Sequence, residues 1–365
     1  MQAQRQVFSL DELTTAAGQV IRNIKAGFET YGTLNADRSN AILICHHFSG
    51  NAHAAGRYSD ADPLPGWWDC AIGPGKIFDT DKYFVIASDS LVNLYAMDGM
   101  TVTTGPASVN PATGEVFGPD FPLVSVTDFV RVQKRLLEYL GIDKLVAVAG
   151  PSGGSAQAIE WSVEFPECVP RVIAVISPGL VIHPYAAAMM DCWARPITVD
   201  AAWNGGRYDP SRQPITGLLE SLRLTTLSAL SYEALESQFG WAIAEEGKDP
   251  ALSLVNEFKA DAMLGAIAAT RARAMDANHF LYMVRAYKLY NVVQRVARAR
   301  AKYLFVPAQT DLIFPPHLSE AAAASLRAAG RSAEVVMLKG SGGHLDGLNQ
   351  LGRVLPALQN FLASN

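Results

Sequence analysis

The sequence predicts an α/β fold, a mostly parallel sheet with helices on both faces and a long helical insertion. Three observations predict it. Short apolar runs of strand length alternate with stretches of helical periodicity over residues 41–178 and again after 298. Strand signals vanish between 179 and 297, where apolar-periodic stretches such as Gly217 to Leu230 and Asn278 to Val292 take over. A serine flanked by glycines stands where one strand passes directly into a helix. The expected organisation is a core domain of residues 1–178 and 298–365 and a helical lid of residues 179–297.

The first core strand expected is Ala41 to Cys45, which ends in His46-His-Phe-Ser-Gly50, a polar stretch suited to a functional loop. Tyr83 to Ala87 reads as a second strand. It leads into a segment too rich in Gly and Pro to be regular, through Thr104 to Gly114, and long loops of this kind tend to carry function. Val126 to Leu140 has helical spacing and is followed by Gly141, placed for a left-handed helix end. Leu145 to Ala149 then reads as a strand, Ser155 to Phe165 as a helix stopped before Pro166, and Arg171 to Ile176 as a strand. Beyond the insertion, Tyr303 to Val306 and Glu334 to Leu338 read as strands flanking a helix at Ser319 to Ala329. This alternation implies parallel strands covered on both faces.

Composition narrows the function. With 365 residues, 49% of them apolar and 18% charged, the chain can bury a large core. The net charge of -5 comes from interspersed acids and bases, which argues against a nucleic-acid footprint or a basic membrane-docking face. The first ten residues lack the pattern of a secretory signal and no apolar run has spanning length, so a cytoplasmic protein is expected. Cys45, Cys70, Cys168 and Cys192 are scattered without a C-x-x-C pair and read as buried free thiols. Small-molecule chemistry is the class that remains.

That chemistry centres on Gly150-Pro-Ser-Gly-Gly154, a G-x-S-x-G stretch in the strand-to-helix setting that the motif requires. Such a turn forces the serine into a strained conformation and lifts its hydroxyl above the sheet, and glycines on either side remove side chains that would collide. The pattern is that of the α/β-hydrolase fold with Ser152 as nucleophile. A serine hydroxyl needs a base, and the base an orienting acid, in the chain order Ser, Asp, His. Asp311 follows the strand Tyr303 to Val306, and His344 lies in the glycine-rich loop after the last strand. An Asx turn or helix cap would be the plain structural reading of Asp311, and a solvated loop residue that of His344. Asp346 is a second acid, but two residues from His344 it is too close for the usual orienting partner. For the negative oxygen of a tetrahedral intermediate, the backbone N–H groups of Gly153 and Phe48 are the expected donors, although Phe48 would equally suit a packed core.

His46, His47 and His53 have neither helical i, i+4 spacing nor the carboxylate or thiolate partners of a zinc site, so no metal is expected, nor any flavin or nicotinamide. Gly150 to Gly154 is not a phosphate loop, because no Lys-Ser/Thr follows.

A wider set of motifs resembles the homoserine O-acetyltransferases. Asn40 to His46 with Ser49-Gly-Asn-Ala-His53, Pro65-Gly-Trp-Trp-Asp69, Ile72-Gly-Pro-Gly75 and Phe78 to Val85 are similar to that family's first blocks. Gly105 to Gly114, Gly118-Pro-Asp-Phe-Pro122, Gln157-Ala-Ile-Glu-Trp161 and Met275-Asp-Ala-Asn278 extend the likeness over roughly residues 40–348. The resemblance implies an α/β-hydrolase core, a helical lid through which two copies dimerise, and ping-pong acyl transfer. It gives Ser152, Asp311 before Phe314-Pro-Pro316, and His344 the roles of nucleophile, acid and base.

The departures are specific. The family's elbow reads Gly-Gly-Ser-Met-Gly-Gly, and Leu345 stands where the family has Asp after the histidine. The lid's Arg and Tyr, seven residues apart, that hold the amino acid align with Leu222 and Ala229; a shift of one residue would offer Arg223 as the substrate-binding cation. The family also includes esterases. Hydrolysis of small carboxylic esters, acetates foremost, is therefore expected, with homoserine O-acetylation from acetyl-CoA as the alternative.

Overall fold

In the computed structural model, which describes residues 1–364, eight strands form one sheet: β1 (Gln6–Thr14), β2 (Val20–Tyr31), β3 (Ala41–Ile44), β4 (Phe84–Ser88), β5 (Ala147–Pro151), β6 (Arg171–Val175), β7 (Lys302–Val306) and β8 (Ala333–Val335). Their order is β1-β2-β4-β3-β5-β6-β7-β8; β2 pairs antiparallel with both β1 and β4, and the remaining pairs are parallel. The short apolar runs are explained by burial on both faces. In β3, Ala41 and Leu43 face one core cluster while Ile42 and Ile44 face the other, so polar alternation has no place.

The hairpin before Ala41 was not apparent in the sequence. Asn23 has φ 55°, and the pairing passes from Leu10 with Ile24 to Glu12 with Arg22 in unchanged register, skipping the opposed residues Asp11 and Asn23. This irregularity puts the buried Ile21 and Ile24 three residues apart, which breaks the period of two by which a strand is recognised. The last strand is also shorter than expected, although Leu338 still donates to the Pro307 carbonyl beyond its end.

Helix α1 (Val126–Tyr139) packs on α2 (Gly153–Glu164), and α2 packs against β5 and β6. Ser125 and Asp128 cap α1 reciprocally, and Gly141 after it has φ 69°. Residues 179–297 hold α3 (Pro184–Val199), α4 (Ile215–Ser228), α5 (Tyr232–Gln238), α6 (Lys259–Ala272) and α7 (Ala277–Lys288). Among the described residues this segment contains only isolated β-bridges and no strand. After β7 follow α8 (Pro316–Ala328), α9 (Asp346–Asn349) and α10 (Leu355–Ala363). Among the described residues, no helix is long and apolar enough to cross a membrane.

Helix α7 is tied into the core more firmly than a mobile cover would be. Phe280, Met283, Ala286 and Tyr287 are all buried in the larger core cluster, so the apolar excess of this stretch is used within the chain. The insertion also exposes large apolar side chains, most of all Trp241, Leu252, Leu254 and Val255 between α5 and α6, with others such as Leu227 and Leu289.

Candidate active site

The turn from β5 into α2 carries Ser152 at φ 55° and ψ -122°, a backbone conformation that costs energy for a residue with a Cβ. Neighbouring interactions hold it there: the Ser152 N–H donates to the Val175 carbonyl at 2.9 Å, and the Ser155 hydroxyl donates to the Ser152 carbonyl at 2.6 Å. Two glycines allow the approach. A Cβ on Gly150 would lie 2.5 Å from Gly154 backbone, and one on Gly154 would lie 2.0 Å from the Cys45 carbonyl oxygen. The helix N-terminus thus sits directly against the end of β3.

Asp311 and His344 come from the loops after β7 and β8. His344 Nδ1 is 2.7 Å from one oxygen of Asp311, while the other oxygen accepts the N–H groups of Ile313 at 2.9 Å and Phe314 at 3.0 Å. The carboxylate is therefore fixed by backbone on one side and orients the imidazole with the other. His344 Nε2 is buried with no hydrogen-bond partner among the described residues, and its ring packs edge-on to Phe314. Asp346 turns away, accepting the Gly342 N–H at 2.9 Å.

The loop after β3 is held by His46. Its Nε2 accepts the Ser90 N–H at 3.2 Å, so the proton lies on Nδ1, which donates to the His47 carbonyl at 2.7 Å. Asn93 adds a bond from its amide to the Gly50 carbonyl at 3.0 Å. Burial pushes the His46 imidazole down to about 4 and keeps it neutral. His47 is also held well below the usual histidine range, by burial first and then by its basic neighbours His46, Arg271 and His344, any charge on which would oppose its own. The three histidines of this region have separate destinations, since His53 instead contacts Glu29 at 3.1 Å.

Ser152, Gly153, Phe48 and His344 meet at one cavity of about 300 Å³. Among the described residues, neither the Phe48 N–H nor the Gly153 N–H has an acceptor within the protein. Tyr287 packs beside both: a Cβ on Gly153 would lie 2.5 Å from its ring, and its ring centroid is 6.2 Å from that of Phe48. The insertion contributes Ile182, Met190, Trp193 and Ala229, and the last loop contributes Leu345.

Arg223 does not line this cavity. It lies 3.7 Å from Glu220 on its own helix α4, so the expectation of a substrate-binding Arg223 is corrected. The arginine that reaches the cavity is Arg271 of α6, which sequence reasoning missed. No signal in the sequence separates it from Arg273; the docking of α6 onto α4 decides which one faces inward.

No family model matches the chain. Homoserine O-acetyltransferase of Geobacter sulfurreducens is 36% identical over 359 residues, covering 96% of this chain and 95% of that protein. The chain belongs to the homoserine O-acetyltransferase family. Among solved structures, homoserine O-acetyltransferase from Bacillus anthracis superposes with a TM-score of 0.94 at 32% identity, covering 100% of this chain and 99% of that one. Esterase E22 also gives 0.94, at 44% identity, covering 99% and 100%.

Two of this chain's departures from the homoserine O-acetyltransferase pattern fall in the cavity wall, at Ala229 and Leu345. Leu222 is fully buried in the core cluster instead. The chain is an α/β-hydrolase-family enzyme, an acyltransferase or an esterase.

Proposed function

We propose that this enzyme hydrolyses small carboxylic esters, acetates foremost, through an acyl-enzyme on Ser152. The observation that carries the reading is the convergence of a strained serine, a histidine with an unpartnered Nε2 backed by Asp311, and two unpaired N–H groups on one cavity. The Ser152 oxygen attacks the ester carbonyl while its proton passes to His344 Nε2. Asp311 holds the imidazolium, and the Phe48 and Gly153 N–H groups donate to the carbonyl oxygen as it becomes negative. The proton then goes to the departing alcohol as the C–O bond breaks. Water repeats the sequence: His344 takes its proton, its oxygen attacks the acyl carbon, and Ser152 leaves with the proton returned.

Transfer of acetyl from acetyl-CoA to homoserine is the second reading, favoured by the 36% identity to homoserine O-acetyltransferase of Geobacter sulfurreducens. Both reactions load the serine alike, and they part at the acceptor. Ala229 and Leu345 supply neither charge nor a hydrogen-bonding side chain where the family has Tyr and Asp, and the ammonium of a zwitterion beside Leu345 would lose hydration without replacement. Water is then the better-served acceptor. The assay offers an acetate ester in water and, separately, acetyl-CoA with and without L-homoserine. Ester hydrolysis without O-acetylhomoserine is expected; homoserine-dependent thiol release exceeding acetate formation overturns the reading. Residues 179–297 act in it as a lid that narrows the approach to Ser152.

A further inference from the structure

We propose that Arg271 makes this cavity select small esters that carry a carboxylate but no ammonium group. The inference rests on the esterase reading of the same site. Arg271 is the one Arg or Lys lining the cavity among the described residues, and it makes no ion pair there. Arg5, Arg131, Arg207, Arg295 and Arg300 all have carboxylates within 3.6 Å. Among the described residues, the single side-chain hydrogen bond of Arg271 runs from Nη1 to the Thr226 hydroxyl at a long 3.4 Å. That hydroxyl, like the one on Thr225, already donates to its own helix, at 2.7 Å to Leu222 and Ser221 respectively. The guanidinium keeps most of its donors, and its charge is felt at His47 on the nucleophile side of the cavity.

A guanidinium in a mostly apolar cleft suits a carboxylate, which it can grip with two parallel bonds. The opposite charge is missing: no Asp or Glu lines the cavity among the described residues, and Leu345 occupies the position after His344. An amino acid ester would bring an ammonium with no counter-charge. A hydroxy-acid ester or a half-ester of a diacid would bring only the anion. Since Arg271 comes from α6 and Ser152 from the sheet, the carboxylate would sit across the cavity from the scissile carbonyl, on either the alcohol or the acyl side.

The test compares wild type, Arg271→Met and Arg271→Lys on four esters: ethyl acetate (neutral), acetoxyacetate (carboxylate on the alcohol), monoethyl succinate (carboxylate on the acyl group) and O-acetyl-L-serine (carboxylate plus ammonium). In wild type, kcat/KM for one of the two monoanionic esters should exceed that for ethyl acetate and for O-acetyl-L-serine by about tenfold. Arg271→Met should lower the monoanion-to-neutral ratio by about tenfold, mainly through KM, with Arg271→Lys retaining part of it. Which monoanion is preferred tells the side of the ester that faces Arg271. An unchanged ratio in Arg271→Met, or a wild type that treats all four alike, overturns the inference and leaves the esterase reading intact. Absence of all hydrolysis together with no fluorophosphonate labelling of Ser152 overturns both.

Discussion

The phenol ring of Tyr287 lies against Gly153, so close that a single added methyl carbon would come within 2.5 Å of it. The ring is itself fixed, its hydroxyl accepting from the Gln157 amide at 3.0 Å and its face tilted toward Phe48. Gly153 is helical, so alanine would be tolerated by its backbone; the obstacle is Tyr287. Gly153→Ala should displace the N–H that faces the developing oxyanion and lower kcat by about 10²-fold. Combining it with Tyr287→Leu should recover part of the loss, measured as ester hydrolysis by the single and double variants.

Asp311→Asn separates orientation from folding. The oxygen that accepts from Ile313 and Phe314 survives the change, while the group facing His344 Nδ1 becomes a donor. The imidazole is then held with its proton on Nε2, where it cannot accept one from Ser152. We expect kcat to fall by about 10⁴-fold with little change in Tm. Hydrolysis and thermal melts on one preparation would check it, and a large drop in Tm would point to a structural role instead.

Acid should act through His46. Its folded pKa of about 4 lies below that of an exposed histidine, so the unfolded chain binds the proton first. The stability associated with neutral His46 is complete above about pH 6.5 and falls away between there and pH 4, by roughly 3 kcal/mol at full protonation. A proton on Nε2 would also meet the Ser90 N–H that now bonds to it and loosen the loop bearing Phe48. Denaturant unfolding across this range should show the loss in wild type and a shallower slope in His46→Gln.

The exposed side chains of Trp241, Leu252, Leu254 and Val255 on the insertion suit burial against a second copy of the chain. A homodimer through this lid segment is the expected state at micromolar concentration, read by light scattering during size exclusion. Leu254→Asp with Val255→Asp should shift it toward monomer, since each aspartate would lose hydration at a contact. A wild-type monomer would count against the dimer and leave the site unaffected.

What could be read from the sequence was whatever depended on local order. The strand, sharp turn and helix around Ser152 are contiguous, and the burial of β3 on both faces leaves a short, unbroken apolar run that stands out in the sequence. The pairing of Asp311 with His344 was suggested by chain order but depends on two loops meeting in space. Arg271 was invisible because its role is fixed by α6 lying on α4, and Asn23 hid the first hairpin by shifting its buried positions. That Tyr287 and Phe280 of α7 fill the core beside Phe48 likewise depends on tertiary packing.

The insertion leaves the sheet after β6 and returns before β7, and its two ends are bonded to each other: Val292 donates to the Leu180 carbonyl at 2.9 Å and Ile182 to the Tyr290 carbonyl at 3.2 Å. More than a hundred residues therefore begin and end at one short seam. Lengthening, shortening or exchanging what lies beyond that seam need not disturb the register of the strands that hold Ser152 and Asp311. In evolutionary terms, the bond-breaking machinery and the choice of molecule can drift at different rates. A family with this architecture could supply transferases and esterases from the same inherited core.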